Sequence, residues 1–277
     1  MHTFVRKCLI LAVLAVLKVC SIDVSDNFMR VEVINGKLDG STVSVRLNNT
    51  IEYLIHYPES TTHNPYRIRV WSKEALPSDP ILVVVHQENK VLSWEVPLKQ
   101  PIGKHDEVYF RNTSRTLCHI AMKNLSSLSK TDLMKHEQNE SFSQQFLATI
   151  TTQSDATIDA HIEAIEELNF HVKLNVNYSM TITCSESRYV YYKFDESTEA
   201  VLIQITSPDD VCLAISVQDS YCPVFDLNQD IKYEGKYLSM TRKGAMTVTR
   251  NEFDEGFSWS SLPNLVITSV AKKLKGC

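Results

Sequence analysis

The sequence predicts an all-β protein made of two tandem β-sandwich or jelly-roll-like domains behind a signal peptide. Three observations predict this fold: apolar and polar residues alternate with a period of two, the alternating runs recur about every ten residues, and Pro, Asn, Asp and Ser separate them. A period of two places one face of a strand in a core and the other in solvent. Short strands at regular spacing are typical of sandwiches.

The N-terminus has the pattern of a signal peptide over residues 1–21. Arg6 and Lys7 precede an unbroken apolar run at 8–17, and residues 19–21 offer small side chains for cleavage. The run is about half the roughly 20 residues that span a bilayer, which favours cleavage over a membrane anchor. Cleavage would leave 25 basic against 33 acidic residues, a formal charge of −8. We therefore expect an exported protein of the secretory pathway.

Residues 22–168 form the first predicted domain. The clearest strand is 51–57, where every second residue is Ile or Tyr, and residues 43–47 and 66–71 alternate in the same way. Residues 156–164 also alternate perfectly, although the isoleucines of this region fit one face of a helix as well. The β-rich surroundings favour a strand for this segment.

The acidic residues 165–169 separate two runs of predicted strands, and we place the domain boundary there. The second predicted domain, residues 169–277, contains strand-like runs at 201–205 and 213–217. Both domains have an ordinary size for sandwiches. Within the first domain, the polar stretch 123–143 has no sustained period and is predicted to be a long surface loop.

Five Asn-x-Ser/Thr sequons follow the leader. Five in an exported chain favour glycosylation of several of them, and each would mark a surface position. The sequons are at Asn48, Asn112, Asn124, Asn139 and Asn177.

Five cysteines also follow the leader, and export makes disulfides their expected state. Cys212 and Cys222 flank a strand-like run, and an extended chain would hold these two sulfurs too far apart to pair. We favour pairing of Cys212 with Cys277 and of Cys118 with Cys222. Cys184 is then free or paired with another chain. Spacing alone does not fix this connectivity.

Catalytic and metal-binding motifs are absent from the sequence. It has no nucleophile elbow, no His-Glu-x-x-His and no Walker loop. No two histidines stand four residues apart on a predicted helix, and no cysteine pair has C-x-x-C spacing. We therefore expect no enzyme activity, no metal and no cofactor.

Basic residues cluster locally although the total charge is negative. Phosphate binding needs such local groups, and its affinity depends on the release of counterions. An ordinary charged sheet face would give the same pattern, which is the simpler interpretation of any single cluster. The candidate phosphate-binding residues are Arg67, Arg69, Arg242, Lys243, Arg250, Lys272 and Lys273.

Two parts of the sequence carry a resemblance to a known family. Residues 222–227 read Cys-Pro-Val-Phe-Asp-Leu, and residues 237–248 downstream read Tyr-Leu-Ser-Met-Thr-Arg-Lys-Gly-Ala-Met-Thr-Val. The other part is Val-Val-Val-His-Gln at 83–87, continued by Val-Leu-Ser-Trp-Glu-Val-Pro-Leu at 91–98. Together they resemble the extracellular N-terminal region of the systemic RNA-interference-defective (SID-type) transmembrane family, over residues 51–277.

The resemblance implies two jelly-roll-like modules in the ectodomain of a double-stranded RNA channel or transporter. Vertebrate relatives in that family are also linked to lipid and cholesterol handling. The resemblance further implies that Cys118, Cys212, Cys222 and Cys277 are structural, and it makes double-stranded RNA the expected partner of the basic clusters.

The family continues into a multi-pass membrane domain, whereas this chain stops at Cys277. We therefore expect this chain to lack the pore and to reach a membrane only through that missing domain. The implied location is the extracellular or lumenal face of the plasma membrane or lysosome, or secretion if the chain is complete.

Two hypotheses follow for the chain itself. In the first, it binds duplex RNA by shape, through phosphates and 2′-hydroxyls. The charge of −8 opposes this binding at neutral pH, whereas protonation of the eight remaining histidines would bring the charge to about zero and strengthen binding near pH ~5. In the second, it is an adhesion or assembly module, or the ectodomain of a lipid-handling membrane protein, that does not bind RNA. Exposed strand edges and Cys184 would then support homo-oligomers.

Overall fold

The computed structural model describes residues 29–60, 62, 64–87, 90–102, 106–117, 144–183, 185–208, 213–219, 236–253, 256–262, 265–266 and 272–273. Every helix or strand within these ranges is a β-strand, which confirms the all-β fold. Several predictions from the sequence lie outside the described residues: the signal peptide, the loop at 123–143, all five cysteines after the leader, and the sequons at Asn124 and Asn139.

Eleven strands belong to the first module. They are β1 (Arg30–Asn35), β2 (Val43–Leu47), β3 (Ile51–Ser60), β4 (Tyr66–Trp71), β5 (Ile81–Gln87), β6 (Lys90–Val96), β7 (Leu98–Ile102), β8 (Asp106–Phe110), β9 (Asn112–Thr116), β10 (Gln144–Thr152) and β11 (Ile158–Glu166).

Nine of these strands form two sheets. The five-stranded sheet has the order β1-β3-β10-β5-β6, and the four-stranded sheet has the order β2-β11-β4-β9, while β7 and β8 form a separate hairpin. β1 runs parallel to β3, and the other ladders of this module are antiparallel. The alternating residues of both sheets meet in one core, in which Ile55, Ile68, Val83 and Ile162 are fully buried.

The ambiguous segment of the first module is a strand. β11 buries every second residue from Ile158 to Ala164 and pairs with β2 on one side and β4 on the other. A helix would have buried residues three and four apart instead. The prediction of a strand in this region is confirmed.

Nine strands belong to the second module. They are β12 (Thr181–Ile182), β13 (Arg188–Lys193), β14 (Ala200–Thr206), β15 (Leu213–Asp219), β16 (Lys236–Met240), β17 (Lys243–Thr249), β18 (Gly256–Leu262), β19 (Leu265–Val266) and β20 (Lys272–Lys273).

The second module again has two main sheets. One has the order β13-β18-β15-β16 and the other β17-β14-β20, while β12 pairs with β19. Its core is a hydrophobic cluster separate from the first, with Val201, Ile203, Val217 and Phe257 at its centre. The first cluster ends at Ala164, so the two clusters lie on either side of the predicted boundary.

Candidate functional site

Three of the side chains on β4 lie on the outer face of the four-stranded sheet, opposite the buried Ile68 and Val70. These outer residues are Arg67, Arg69 and Trp71. Alternation along β4 explains why the two arginines share a face. The structure therefore places two of the predicted phosphate-binding residues together, in the first module.

Arg67 is buried on this face, with 4% of its surface exposed. Its Nη1 donates to Thr116 Oγ1 at 3.0 Å, and its Nη2 donates to Ser114 Oγ at 2.5 Å. These hydroxyls come from β9, which pairs with β4. The guanidinium thus ties two strands together and is not presented to solvent, so we leave Arg67 out of any proposed RNA-binding surface.

Arg69 is half-buried and is surrounded by acceptors. Its Nε donates to Asn112 Oδ1 at 2.9 Å and lies 3.4 Å from Glu186 Oε1, while its Nη1 lies 3.4 Å from Glu163 Oε1. The guanidinium also lies 5.2 Å from the centre of the Trp71 ring. Two carboxylates therefore already balance its charge.

The Glu186 contact belongs to a junction between the two modules. Ser114 N donates to Ser185 O at 3.2 Å, and Arg188 Nη1 donates to Glu167 Oε2 at 2.5 Å. Both side chains of the Arg188–Glu167 pair are largely shielded from solvent. Short connections and several direct contacts thus join the second module to the outer face of the first module's four-stranded sheet.

An open cleft of about 880 Å³ lies at this junction. One side carries aromatic rings and two cations from the first module, and the other side carries hydroxyl groups and a carboxylate from the second. The residues that line the cleft include Trp71, Tyr109, Phe110, Asn112, Thr183 and Ser185.

The two cations at the cleft, Lys73 and Arg111, are both exposed. Clustering along the sequence could not reveal them, because they are 38 positions apart. They come together because β4 pairs with β9, with Trp71 directly opposite Asn112. The signal that could have found them is the predicted pairing of these strands, which a single sequence does not provide.

Tyr109 on the same wall has its own acceptor. Its hydroxyl donates to Glu107 Oε2 at 2.7 Å, and Glu107 also pairs with Lys99 at 2.5 Å. The hydrogen bond to Glu107 raises the pKa of the Tyr109 phenol, and the hydrogen bond from Lys99 lowers the pKa of Glu107. The Tyr109 ring therefore remains neutral at physiological pH.

The predicted basic residues near β17 of the second module lie at opposite ends of this strand. Arg242 lies in the turn between β16 and β17, Lys243 begins β17, and both are exposed. Arg250 follows the other end of β17, roughly 20 Å away at about 3.3 Å per residue. Its Nε donates to Thr198 O at 3.1 Å, and its guanidinium lies 5.6 Å from the centre of the Phe194 ring. Arg250 thus anchors a turn, apart from the other two.

Lys272 and Lys273 form the short β20 on the same sheet as Lys243. Lys272 is opposite Leu202 and Lys273 is opposite Val201, while Lys243 is opposite Thr206 farther along β14. The backbone positions of Lys243 and Lys272 are roughly 16 Å apart, from four residues along the strand and two strand spacings across it. We call Arg242, Lys243 and Lys272 the basic sheet face.

Neither a metal site nor a membrane-spanning helix is found in the part of the chain that the structure describes. No group of three His, Cys, Asp or Glu side chains there could hold a metal ion. No helix there is long and apolar enough to cross a bilayer.

Comparison with known proteins shows which proteins this chain resembles. Residues 185–260 match the family model described as the dsRNA-gated channel SID-1. SID1 transmembrane family member 1 of Rattus norvegicus is 33% identical over 182 residues, which are 64% of this chain and 20% of that protein. Its counterpart in Mus musculus is 34% identical over 183 residues, with the same shares covered. Cholesterol uptake protein 1 of Caenorhabditis elegans is 24% identical over 185 residues, 67% of this chain and 21% of that protein.

These matches confirm the resemblance to the SID-type family. They also support the interpretation of this chain as similar to the ectodomain of a SID1-type protein. The chain spans about a fifth of the length of the curated relatives it matches. The name of the rodent relatives describes transmembrane proteins, which broadly supports a secretory-pathway or extracellular location. A solved structure of Broad Bean Stain Virus aligns over 92% of this chain and 90% of that chain, but its TM-score of 0.21 and 9% identity carry no argument.

Proposed function

We propose that this chain is the extracellular or lumenal part of a SID-type transporter of double-stranded RNA, and that it binds duplex RNA without reading its sequence. The match of residues 185–260 to the dsRNA-gated channel family carries this proposal. We assign the chain a binding role without catalysis. We place the chain on the extracellular or lumenal side of the plasma membrane or the lysosome.

The basic sheet face is the surface we assign to RNA. Arg242 and Lys243 lie inside the matched region and are exposed. The backbone register puts Lys272 on the same sheet. A-form RNA is recognised largely through phosphates and 2′-hydroxyls, for which separated cations on a flat sheet are suited. Since the face contains only a few cations, we expect weak binding that depends strongly on salt.

Charge reversal on this face tests the proposal. The variant Arg242→Glu with Lys243→Glu should weaken duplex binding for all sequences alike. It should also reduce the slope of log K against log salt by about two, roughly one for each lost phosphate contact. Fluorescence anisotropy with a labelled duplex, repeated over a salt series at pH ~5 and pH ~7.4, measures both effects, and the wild type should bind more strongly at the acid pH because histidines gain charge.

Lys173→Glu with Lys193→Glu provides the matched control. Both lysines are exposed, and the change in net charge is the same, but neither residue lies on the basic sheet face. If both double variants lose affinity equally, RNA responds to net charge and the assigned surface is wrong. If the wild type binds no duplex at either pH, the RNA-binding proposal itself is wrong.

Assembly is a second candidate function, and the exposed edge of the five-stranded sheet favours it. β1 is at this edge, and Val31 and Val33 on it are 55% and 67% exposed. An exposed edge strand with apolar side chains can pair with another chain. A second copy of this chain is the partner that we assign to this edge.

A further inference from the structure

The side chain of Asn112 is held in one orientation at the wall of the junction cleft. Its Oδ1 accepts a hydrogen bond from Arg69 Nε at 2.9 Å. Its Nδ2 makes no hydrogen bond to another residue in the described part of the chain, and the residue lines the cleft. The oxygen of the amide is therefore anchored, and the residue that carries the amide nitrogen lines the cleft.

Asn112 also begins the sequon Asn112-Thr113-Ser114. Thr113 and Ser114 are buried in the fold. Thr113 Oγ1 donates to Val70 O at 3.1 Å, and Ser114 Oγ accepts from Arg67. The sequon could not enter an enzyme's active site once β9 has paired with β4, so any modification of Asn112 must precede folding.

The cleft has the chemistry of a carbohydrate site. Phe110 is two residues before Asn112, and both line the cleft together with Trp71 and Tyr109. Aromatic rings offer flat apolar surface on which the C–H face of a pyranose ring can pack. Thr183 and Ser185, whose hydroxyl oxygens lie 3.3 Å apart, line the opposite side. The volume of about 880 Å³ falls in the range of roughly 300–1,000 Å³ that holds small ligands.

From this geometry we propose that the junction cleft holds the inner sugars of an N-glycan attached to Asn112. In the transfer step, a bond forms between Asn112 Nδ2 and C1 of the first sugar. The bond from C1 to the diphosphate of a lipid-linked oligosaccharide breaks, Nδ2 loses one proton, and the lipid diphosphate leaves. The chain then folds around the attached sugar, which lies between the two modules. This proposal does not depend on RNA binding.

Site-resolved deglycosylation of the secreted full chain tests the proposal. The protein is treated with peptide-N-glycosidase in ¹⁸O-water, either native or after reduction and denaturation, and conversion of each Asn to labelled Asp is followed by mass spectrometry. We expect Asn112 to be glycosylated and to lose its glycan at least roughly tenfold more slowly in the native protein than in the denatured one, because the fold protects the linkage. Asn177, which is exposed, serves as the comparison site.

A variant of the cleft wall gives an independent measurement. Phe110→Ala should make the Asn112 glycan releasable in the native protein. Tyr237→Ala changes an exposed aromatic residue that does not line the cleft, and it should leave the protection of the glycan unchanged. Circular dichroism checks that both variants fold. The proposal is overturned if Asn112 leaves the cell unmodified. It is equally overturned if its glycan is released at the same rate from native and denatured wild-type protein.

Discussion

Tyr57 on β3 contains a buried hydroxyl in the core of the first module. The residue is fully buried, and its ring stacks on Phe146 with 4.6 Å between the ring centres. Its hydroxyl has no hydrogen-bond partner in the described part of the chain. Burial, followed by the nearby Glu163 carboxylate, raises the pKa of Tyr57 well above its usual range, so the phenol is neutral. Gly36 packs so closely against this ring that an added Cβ would lie 2.5 Å from it.

Removing the Tyr57 hydroxyl while keeping the ring should therefore stabilise the fold. Tyr57→Phe keeps the stacked ring and removes an unsatisfied hydroxyl, so the free energy of unfolding should rise by about 1 kcal/mol. Urea denaturation followed by fluorescence measures this. The matched change Tyr66→Phe should instead lower the free energy, because the Tyr66 hydroxyl bonds Ser60 Oγ at 2.5 Å. A loss of stability at both positions would show that Tyr57 has a partner after all.

At the scale of elements, the sequence predicts most of the strands but not the partners of their outer faces. Alternation in 51–57 and 66–71 corresponds to β3 and β4. The same alternation correctly puts Arg67 and Arg69 on one face, yet it gives no information on what covers that face. Here β9 and the second module cover it, through Ser114 and Glu186. Contacts between residues distant in the sequence decided the role of these arginines.

The basic sheet face also depends on contacts between residues that are distant in the sequence. Arg242 and Lys243 are neighbours in sequence and remain together, whereas Arg250 lies at the other end of β17 and anchors a turn. Lys272 joins the first two only through the order of strands in the sheet. A short sequence cluster is thus predictable, while a surface made of several strands is not.

The turn after β17 contains a carboxylate whose charge matters for folding. Glu252 Oε2 accepts from Thr249 N and Thr249 Oγ1, each at 2.9 Å, and Glu252 Oε1 pairs with Lys236 at 2.5 Å. Slight desolvation raises its pKa, but the hydrogen bonds from Lys236 and Thr249 outweigh this effect, so the pKa of Glu252 lies below its usual value.

Glu252 should therefore stabilise the fold above pH ~4.5, and this contribution should disappear as the pH falls through its lower folded-state pKa. The sign follows because the unfolded chain binds the proton more tightly than the folded one. We expect Glu252→Gln to be less stable than wild type at neutral pH, and the difference to shrink towards pH ~3. Urea titrations at several pH values measure it. A difference that stays constant with pH would contradict the ionic role.

At the scale of the whole molecule, the open edge at β1 predicts self-association. Val31→Lys with Val33→Lys places two charges on the exposed side of this strand, and charged edge strands resist pairing. We expect the wild type to form a dimer that this variant dissociates, as measured by light scattering over a range of concentrations. Leu76→Lys with Leu168→Lys changes two other exposed apolar residues and should leave the dimer intact. A monomeric wild type at all concentrations would refute assembly through this edge.

The junction between the modules has a mechanical consequence. Glu167 N donates to Pro65 O at 2.9 Å, and the Glu167 carboxylate pairs with Arg188. Glu167, which lies between the two modules in the sequence, therefore contacts both of them. Glu186 is similarly attached to Arg69 on β4. A tilt of the second module would therefore pull on β4 of the first module, and a load applied to either module would be passed to the other.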